Sequence, residues 1–212
     1  MSQFADSFKL APVARERTPT FPGLPHTHAA ITYARRMHAG QRQGDGTPFI
    51  DHPLEVASLL YEAGAADDLI AAGVMHDLIE KTDASTSDLR QRFGPRITDL
   101  VLAVSENGQI TGYAKRKAAL RQQVADAGEG ALTLFAADKL SKLRELRREA
   151  ASDIDARSTP GRVRELRARR LRHYERSLAL LEERLAESPL VADLRHELRA
   201  LQRDRTLLAE TH

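Results

Sequence analysis

Two histidines and two aspartates stand where a chain of this pattern has little structural use for them. His76-Asp77 falls inside a segment whose Ile70, Val74 and Leu78 recur every four residues, and Asp138 interrupts the apolar run from Leu132 to Leu140. His52 precedes Pro53 at the end of a glycine-rich stretch. A charge within a buried-looking helix is costly unless it is paired or coordinated. Two imidazoles and two carboxylates make a mixed nitrogen and oxygen donor set, suited to Mn, Fe, Co or Zn rather than to Ca or Mg. Such an ion acidifies bound water and polarises a phosphoryl oxygen. His52, His76, Asp77 and Asp138 are therefore candidate metal ligands, and the chemistry they suggest is hydrolytic. Singly, each has an ordinary structural explanation; the reading rests on the set.

Glu80 follows His76 by four residues and Asp77 by three, so a helix brings all three to one side. It is a candidate general acid or base for a metal-bound water, against the plainer alternative of a surface glutamate at a helix end. Lys81, four residues after Asp77, is either an ion-pair partner of Asp77 or a phosphate contact. Basic residues gather at Lys115, Arg116 and Lys117, and again at Lys139, Lys142, Arg144, Arg147 and Arg148. Most charge runs on helices are solvated faces. Lys139 and Lys142 flank Asp138 within one turn, which makes them the better candidates for phosphate contact. The later run from Arg162 to Arg172 reads as a solvated or packing face. His26, His28, His38, His173, His196 and His212 receive no role; His38 could line a cleft, although a packed or exposed histidine is the commoner case.

These side chains need helices to position them. A helix over 26–38 is followed by a loop, 40–51, with Gly40, Gly44, Gly46 and Pro48. Pro53 suits the first turn of a second helix, with Leu54, Ala57 and Leu60 or Tyr61 inward. A third runs over 66–81. Ser85 and Asp88 have capping-box spacing for a fourth. Gly94-Pro95 stops one helix and starts the next, which carries Ile97, Leu100, Val101 and Val104. A basic helix over 113–126, a Leu-rich one over 131–150, an Arg-rich one from Pro160 to about 187 and a last one after Ser188-Pro189 complete an all-α bundle of about eight to ten helices. Residues 1–25, with Pro19, Pro22 and Pro25, read as a flexible or loosely docked arm. Residues 26–187 form the domain proper, and the C-terminal helix over 188–212 packs on it or at a homodimer interface.

Composition agrees. Of 212 residues, 42% are hydrophobic and 29% charged, enough for one folded domain, while 5% aromatics and no Trp imply a core of Leu, Ala, Ile and Val. With no Cys, disulfides and thiol chemistry are excluded. No run of about 18 apolar residues suggests a membrane span, and the N-terminus lacks a secretory pattern, so the expectation is a cytoplasmic protein. A formal net charge of +2 does not indicate a specific nucleic-acid binder.

Gly40-Gln41-Arg42, the segment Gly46-Thr47-Pro48-Phe49-Ile50-Asp51-His52-Pro53, His76-Asp77-Leu78-Ile79-Glu80, Phe93-Gly94 and Ala137-Asp138-Lys139-Leu140 together resemble the HD hydrolase domain of the RelA/SpoT family, in particular its stand-alone small alarmone hydrolases. The resemblance spans about residues 26–185. It implies an all-helical HD-domain fold, a bound Mn²⁺ and removal of the 3′-pyrophosphate from (p)ppGpp. It also implies His52, His76, Asp77 and Asp138 as ligands, and Glu80 as the first acid of the pair that activates water. Substrate contacts are expected at Arg42, Gln43, Lys115, Arg116, Lys139 and Lys142. Three positions differ from the family pattern. Lys81 stands at the second acid, Lys142 at an Asn, and Gln43-Gly44 at an Arg-Lys pair. Hence the second reading, a protein that keeps the metal and senses a phosphorylated ligand without turnover.

Overall fold

Pro25 opens the first described helix, where its missing N–H leaves no partner wanting. The computed structural model describes residues 19–151 and 160–210. Its helices are α1 (Pro25–Met37), α2 (Asp51–Glu62), α3 (Asp67–Met75), α4 (Leu78–Lys81), α5 (Thr86–Val104), α6 (Tyr113–Ala127), α7 (Glu129–Ala151), α8 (Pro160–Arg184) and α9 (Pro189–Glu210). Extended pairing among the described residues is limited to one bridge, Arg42 with Pro48, which pinches the glycine loop shut. No helix among them is long and apolar enough to cross a membrane.

The expected apolar stripes form the core. Leu54, Ala57 and Leu60 of α2 are buried, Tyr61 stays largely outside, and Ile70, Val74 and Leu78 are buried completely. Helix α3 is wedged between α1 and α2, α7 runs through the centre against α2, α5 and α6, and α8 and α9 close its far side. Leu190, Val191, Leu194 and Leu198 are the buried stripe by which α9 docks. Most of the N-terminal arm lies outside the described residues, but Phe21 is 1% exposed and meets the Tyr61 ring edge-on at 5.5 Å.

Two helix ends carry unusual devices. The α1 N-terminus is capped from another helix: Asp67 accepts from the His26 and Thr27 amides, both at 2.9 Å, and from the Thr27 hydroxyl at 2.6 Å. The expected stop and restart at Gly94-Pro95 is present as a break within α5, with Gly94 non-helical at φ 80°, ψ 171°. Ser85 caps α5 by accepting from the Asp88 amide at 3.1 Å.

Two of the boundaries that differ from expectation lie at the candidate ligands. Helix α2 begins at Asp51, two residues before Pro53, because the loop is already turning at Ile50 (φ −59°, ψ −21°). The single helix expected over 66–81 is broken at His76-Asp77. Nδ1 of His76 lies 2.8 Å from the Gly73 carbonyl, which an unbroken helix would offer to the Asp77 amide. Asp77 sits at φ −92°, ψ −6°, and α4 restarts one residue later.

Candidate active site

Three elements bring the ligand candidates together. His52 comes from the first turn of α2, His76 and Asp77 from the break between α3 and α4, and Asp138 from the middle of α7. His52, His76 and Asp138 are 2%, 5% and 9% exposed. Asp138 Oδ1 lies 3.3 Å from His52 Nε2 and 3.6 Å from His76 Nε2. Asp77 Oδ2 closes the group at 3.9 and 3.6 Å from the same two nitrogens.

The tautomers follow from the partners. The Gly73 carbonyl can only accept, so His76 Nδ1 carries a hydrogen. His52 Nδ1 lies 2.8 Å from the Ser141 hydroxyl, and that hydroxyl donates to Glu55 Oε2 at 3.1 Å, so His52 Nδ1 donates as well. Both imidazoles thus turn Nε2 inward, and the two Nε2 atoms are 3.2 Å apart, a hydrogen-bond distance at which one of them holds a proton. A bound cation would take the place of that proton, between the two nitrogens and beside the carboxylates of Asp77 and Asp138. His52, His76 and Asp138, with the outer partners Gly73, Ser141 and Glu55, form a group that could hold a metal ion, and Asp77 lies beside it.

The electrostatics point the same way. Burial opposes charge on His76, but Asp77 and Asp138 outweigh it and raise its pKa to about 9, so without a metal His76 holds the proton that a bound cation would displace. Burial lowers His52 below its ordinary value, keeping it neutral as a ligand must be. Burial alone would raise Asp138, yet Lys139, His52 and His76 hold it well below the usual carboxylate range. Asp77 is likewise lowered, by His76 and His52 against burial.

The group opens on a cleft of about 440 Å³. Glu80 stands on its rim, three residues from Asp77, and accepts from the Glu106 amide at 2.6 Å. Burial pushes the Glu80 carboxyl above its ordinary range, and Asp77 and Glu106 add to this. Lys81 also faces the cleft; among the described residues it forms no ion pair with Asp77. Lys139 and Lys142 line it too. Lys139 is tied to Asp138 Oδ2 and lies 4.5 Å from the centre of the Phe135 ring, and Lys142 pairs with Glu145 at 2.8 Å.

Other expected contacts are not brought there. Arg42 donates to the Gly46 carbonyl at 2.8 Å and Gln43 reaches back to the Pro48 carbonyl at 3.4 Å, so both side chains brace their own loop. Lys115 is exposed, and Arg116 is held by Glu106 at 2.5 Å. The next residue, Lys117, lines the cleft instead and pairs with Glu106. Tyr113, Arg170, His173 and Tyr174 complete the wall. Sequence reasoning missed these because the Arg-rich segment looks like a solvated face. The one available sign was Arg170 and Tyr174 four apart on one side of a helix, and only the crossing of α8 over α6 and α7 gives it meaning. His38 packs on the Phe49 ring at 4.7 Å and is bonded to Gln41 at 2.8 Å.

Comparison with known proteins places this geometry. A family model described as HD domain matches residues 30–160. The human guanosine-3′,5′-bis(diphosphate) 3′-pyrophosphohydrolase MESH1 is 34% identical over 123 residues, 56% of this chain and 68% of that protein. A probable guanosine-3′,5′-bis(diphosphate) 3′-pyrophosphohydrolase of Mycoplasma pneumoniae is 32% identical over 126 residues, covering 59% of this chain but only 17% of the relative's length. Among solved structures, one described as a metazoan ortholog of SpoT that hydrolyses ppGpp aligns with 86% of this chain and 98% of its own, at a TM-score of 0.71 and 25% identity. A crystal structure of a Listeria monocytogenes protein aligns with 73% of this chain at a TM-score of 0.62. The order of the ligand-type residues, the all-helical frame and the extent of the family match lead to one conclusion: the chain belongs to the HD-domain family.

Proposed function

We propose that this protein is a metal-dependent phosphohydrolase acting on a nucleotide of the guanosine 3′,5′-bis(diphosphate) class, releasing its 3′-pyrophosphate. One observation carries the reading: the inward Nε2 atoms of His52 and His76 and the Asp77 and Asp138 carboxylates converge at the base of a lysine-lined cleft. The named activity of MESH1 and of the Mycoplasma relative supplies the substrate class.

His52, His76, Asp77 and Asp138 would hold the ion, Mn²⁺ in the first instance, with Fe, Co or Zn as other fits to the donor set. When bound, it supplies an acidified water and a polarised phosphoryl oxygen. Glu80, with its raised carboxyl, is placed on the rim to take the proton that the attacking water loses. Lys139 and Lys142 neutralise phosphoryl oxygens entering the cleft, and Lys81 adds charge at its mouth. Water adds across the bond between the 3′-oxygen and the diphosphate, giving the nucleoside 5′-diphosphate and pyrophosphate. A cytoplasmic location belongs to the same proposal.

The test is direct. Mn²⁺-loaded protein is incubated with ppGpp, ppApp, NADPH and simple phosphate esters, and products are resolved chromatographically. The expected result is pyrophosphate release from ppGpp that disappears in Asp77→Ala and falls about a hundredfold or more in Glu80→Gln. Tight binding of ppGpp without turnover by wild type would instead establish the sensor reading that Lys81 suggests.

A further inference from the structure

His173 of α8 lies outside the ligand set, is 5% exposed and lines the cleft. Arg121 of α6 reaches its Nδ1 at 3.1 Å. A guanidinium only donates, so Nδ1 accepts and the hydrogen of the neutral ring is on Nε2. The Ser177 hydroxyl is satisfied elsewhere, donating to the His173 carbonyl at 2.8 Å. Nε2 itself is buried with no hydrogen-bond partner among the described residues. A buried N–H left without an acceptor is expensive, and native structures rarely keep one without a purpose.

The surroundings define the missing acceptor. The ring is enclosed by Phe135, Tyr113 and Tyr174 at 6.5, 6.4 and 5.5 Å between centroids. The ionic groups acting on it most strongly are Lys139, Lys117 and Arg121, all cationic, and with burial they drive its pKa down to about 2. The ring is therefore a fixed neutral donor inside a cationic wall. An anionic oxygen is the one acceptor that satisfies both the N–H and the field of the neighbouring cations.

We infer that His173 is a substrate-specificity residue whose Nε2–H donates to the phosphate group of the nucleotide that is not hydrolysed, the 5′-diphosphate. Lys117 neutralises the same group, and Arg121 fixes the tautomer from behind. The inference deepens the proposed function and rests on it.

The experiment compares ppGpp with guanosine 3′-diphosphate, which has no 5′-phosphates, on Mn²⁺-loaded wild type, His173→Phe and His173→Gln. His173→Phe keeps the ring packing and removes the donor; His173→Gln restores an N–H at about the position of Nε2. His173→Phe is expected to raise KM for ppGpp about tenfold with kcat within twofold, to leave KM for guanosine 3′-diphosphate unchanged, and to be rescued to within threefold by Gln. Equal KM changes for both substrates, or none for either, would overturn the inference while leaving the hydrolase reading intact. If wild type turns over neither, the same comparison is made on equilibrium binding of the two nucleotides. A loss in His173→Phe confined to ppGpp then upholds the role of His173 although the hydrolase reading has failed. Should His173→Phe not fold, the comparison passes to Arg121→Met, which frees the tautomer. A selective loss for ppGpp is again expected, and its absence counts against the inference.

Discussion

At the residue scale the site is decided by hydrogens as much as by ligands. Gly73 and the Ser141–Glu55 pair each fix an imidazole so that its Nε2 faces inward. Outer partners of this kind typically affect metal affinity by 10–100-fold. Ser141→Ala should therefore weaken Mn²⁺ binding by about tenfold, measured by calorimetric titration, and should destabilise the metal-free protein by about 1–3 kcal/mol because it leaves the buried His52 Nδ1–H without its acceptor. Glu80 offers a pH test. Its carboxyl is raised by burial and by Asp77 and Glu106, and as a base it must be ionised. The acid limb of kcat/KM should thus lie above the ordinary glutamate range and vanish with the residual activity of Glu80→Gln; an acid limb unaffected by that substitution would remove Glu80 from the reaction. The residue types were legible in the sequence: His52, His76, Asp77 and Asp138 do converge. Tautomers were not, because they depend on Ser141 and Glu55, which are 86 positions apart.

At the element scale, the separation between α2 and α3 is set by Gly73. A methyl group there would meet Leu60 Cδ1 at 2.5 Å and Val56 Cγ1 at 3.4 Å, both in packed core. Gly73→Ala should destabilise by about 1–3 kcal/mol through overpacking. It should also weaken metal binding, since the Gly73 carbonyl orients His76; urea denaturation with and without Mn²⁺ reads both effects. The α1 cap makes a second case. Burial opposes ionisation of Asp67, but hydrogen bonds from the Thr27 side chain and from the His26 and Thr27 amides outweigh it and lower its pKa. A carboxylate depressed in the folded state gives stability that is present above its unfolded pKa of about 4 and lost as pH falls through the folded value. Asp67→Ala should lower stability by about 1–2 kcal/mol at neutral pH, and the deficit should shrink below about pH 4 in acid melts. Helix stripes were readable from periodicity, as Ile70, Val74 and Leu78 demonstrate. The break at His76-Asp77 was not, because a side chain competing for one carbonyl leaves the apolar period undisturbed.

At the scale of the whole molecule, the cleft exists because α8 crosses α6 and α7. Sequence order could announce helices and their apolar faces, but it could not say which basic residues would share a wall. Lys115 and Lys117 are two apart, one exposed and the other in the cleft. The ligands come from α2, the α3–α4 break and α7, so a bound ion ties distant parts of the chain together. Binding to the folded state alone stabilises it by mass action, about 2.7 kcal/mol at a hundred times the dissociation constant. Chelation should therefore lower the melting temperature of wild type and leave that of Asp138→Ala unmoved.

Crystals grown with Mn²⁺ and measured at the manganese absorption edge would test the central claim most directly. One strong anomalous peak is expected, between the Nε2 atoms of His52 and His76 and beside the carboxylates of Asp77 and Asp138. A peak elsewhere, or protein that binds no manganese while those four side chains keep their present arrangement, would contradict it.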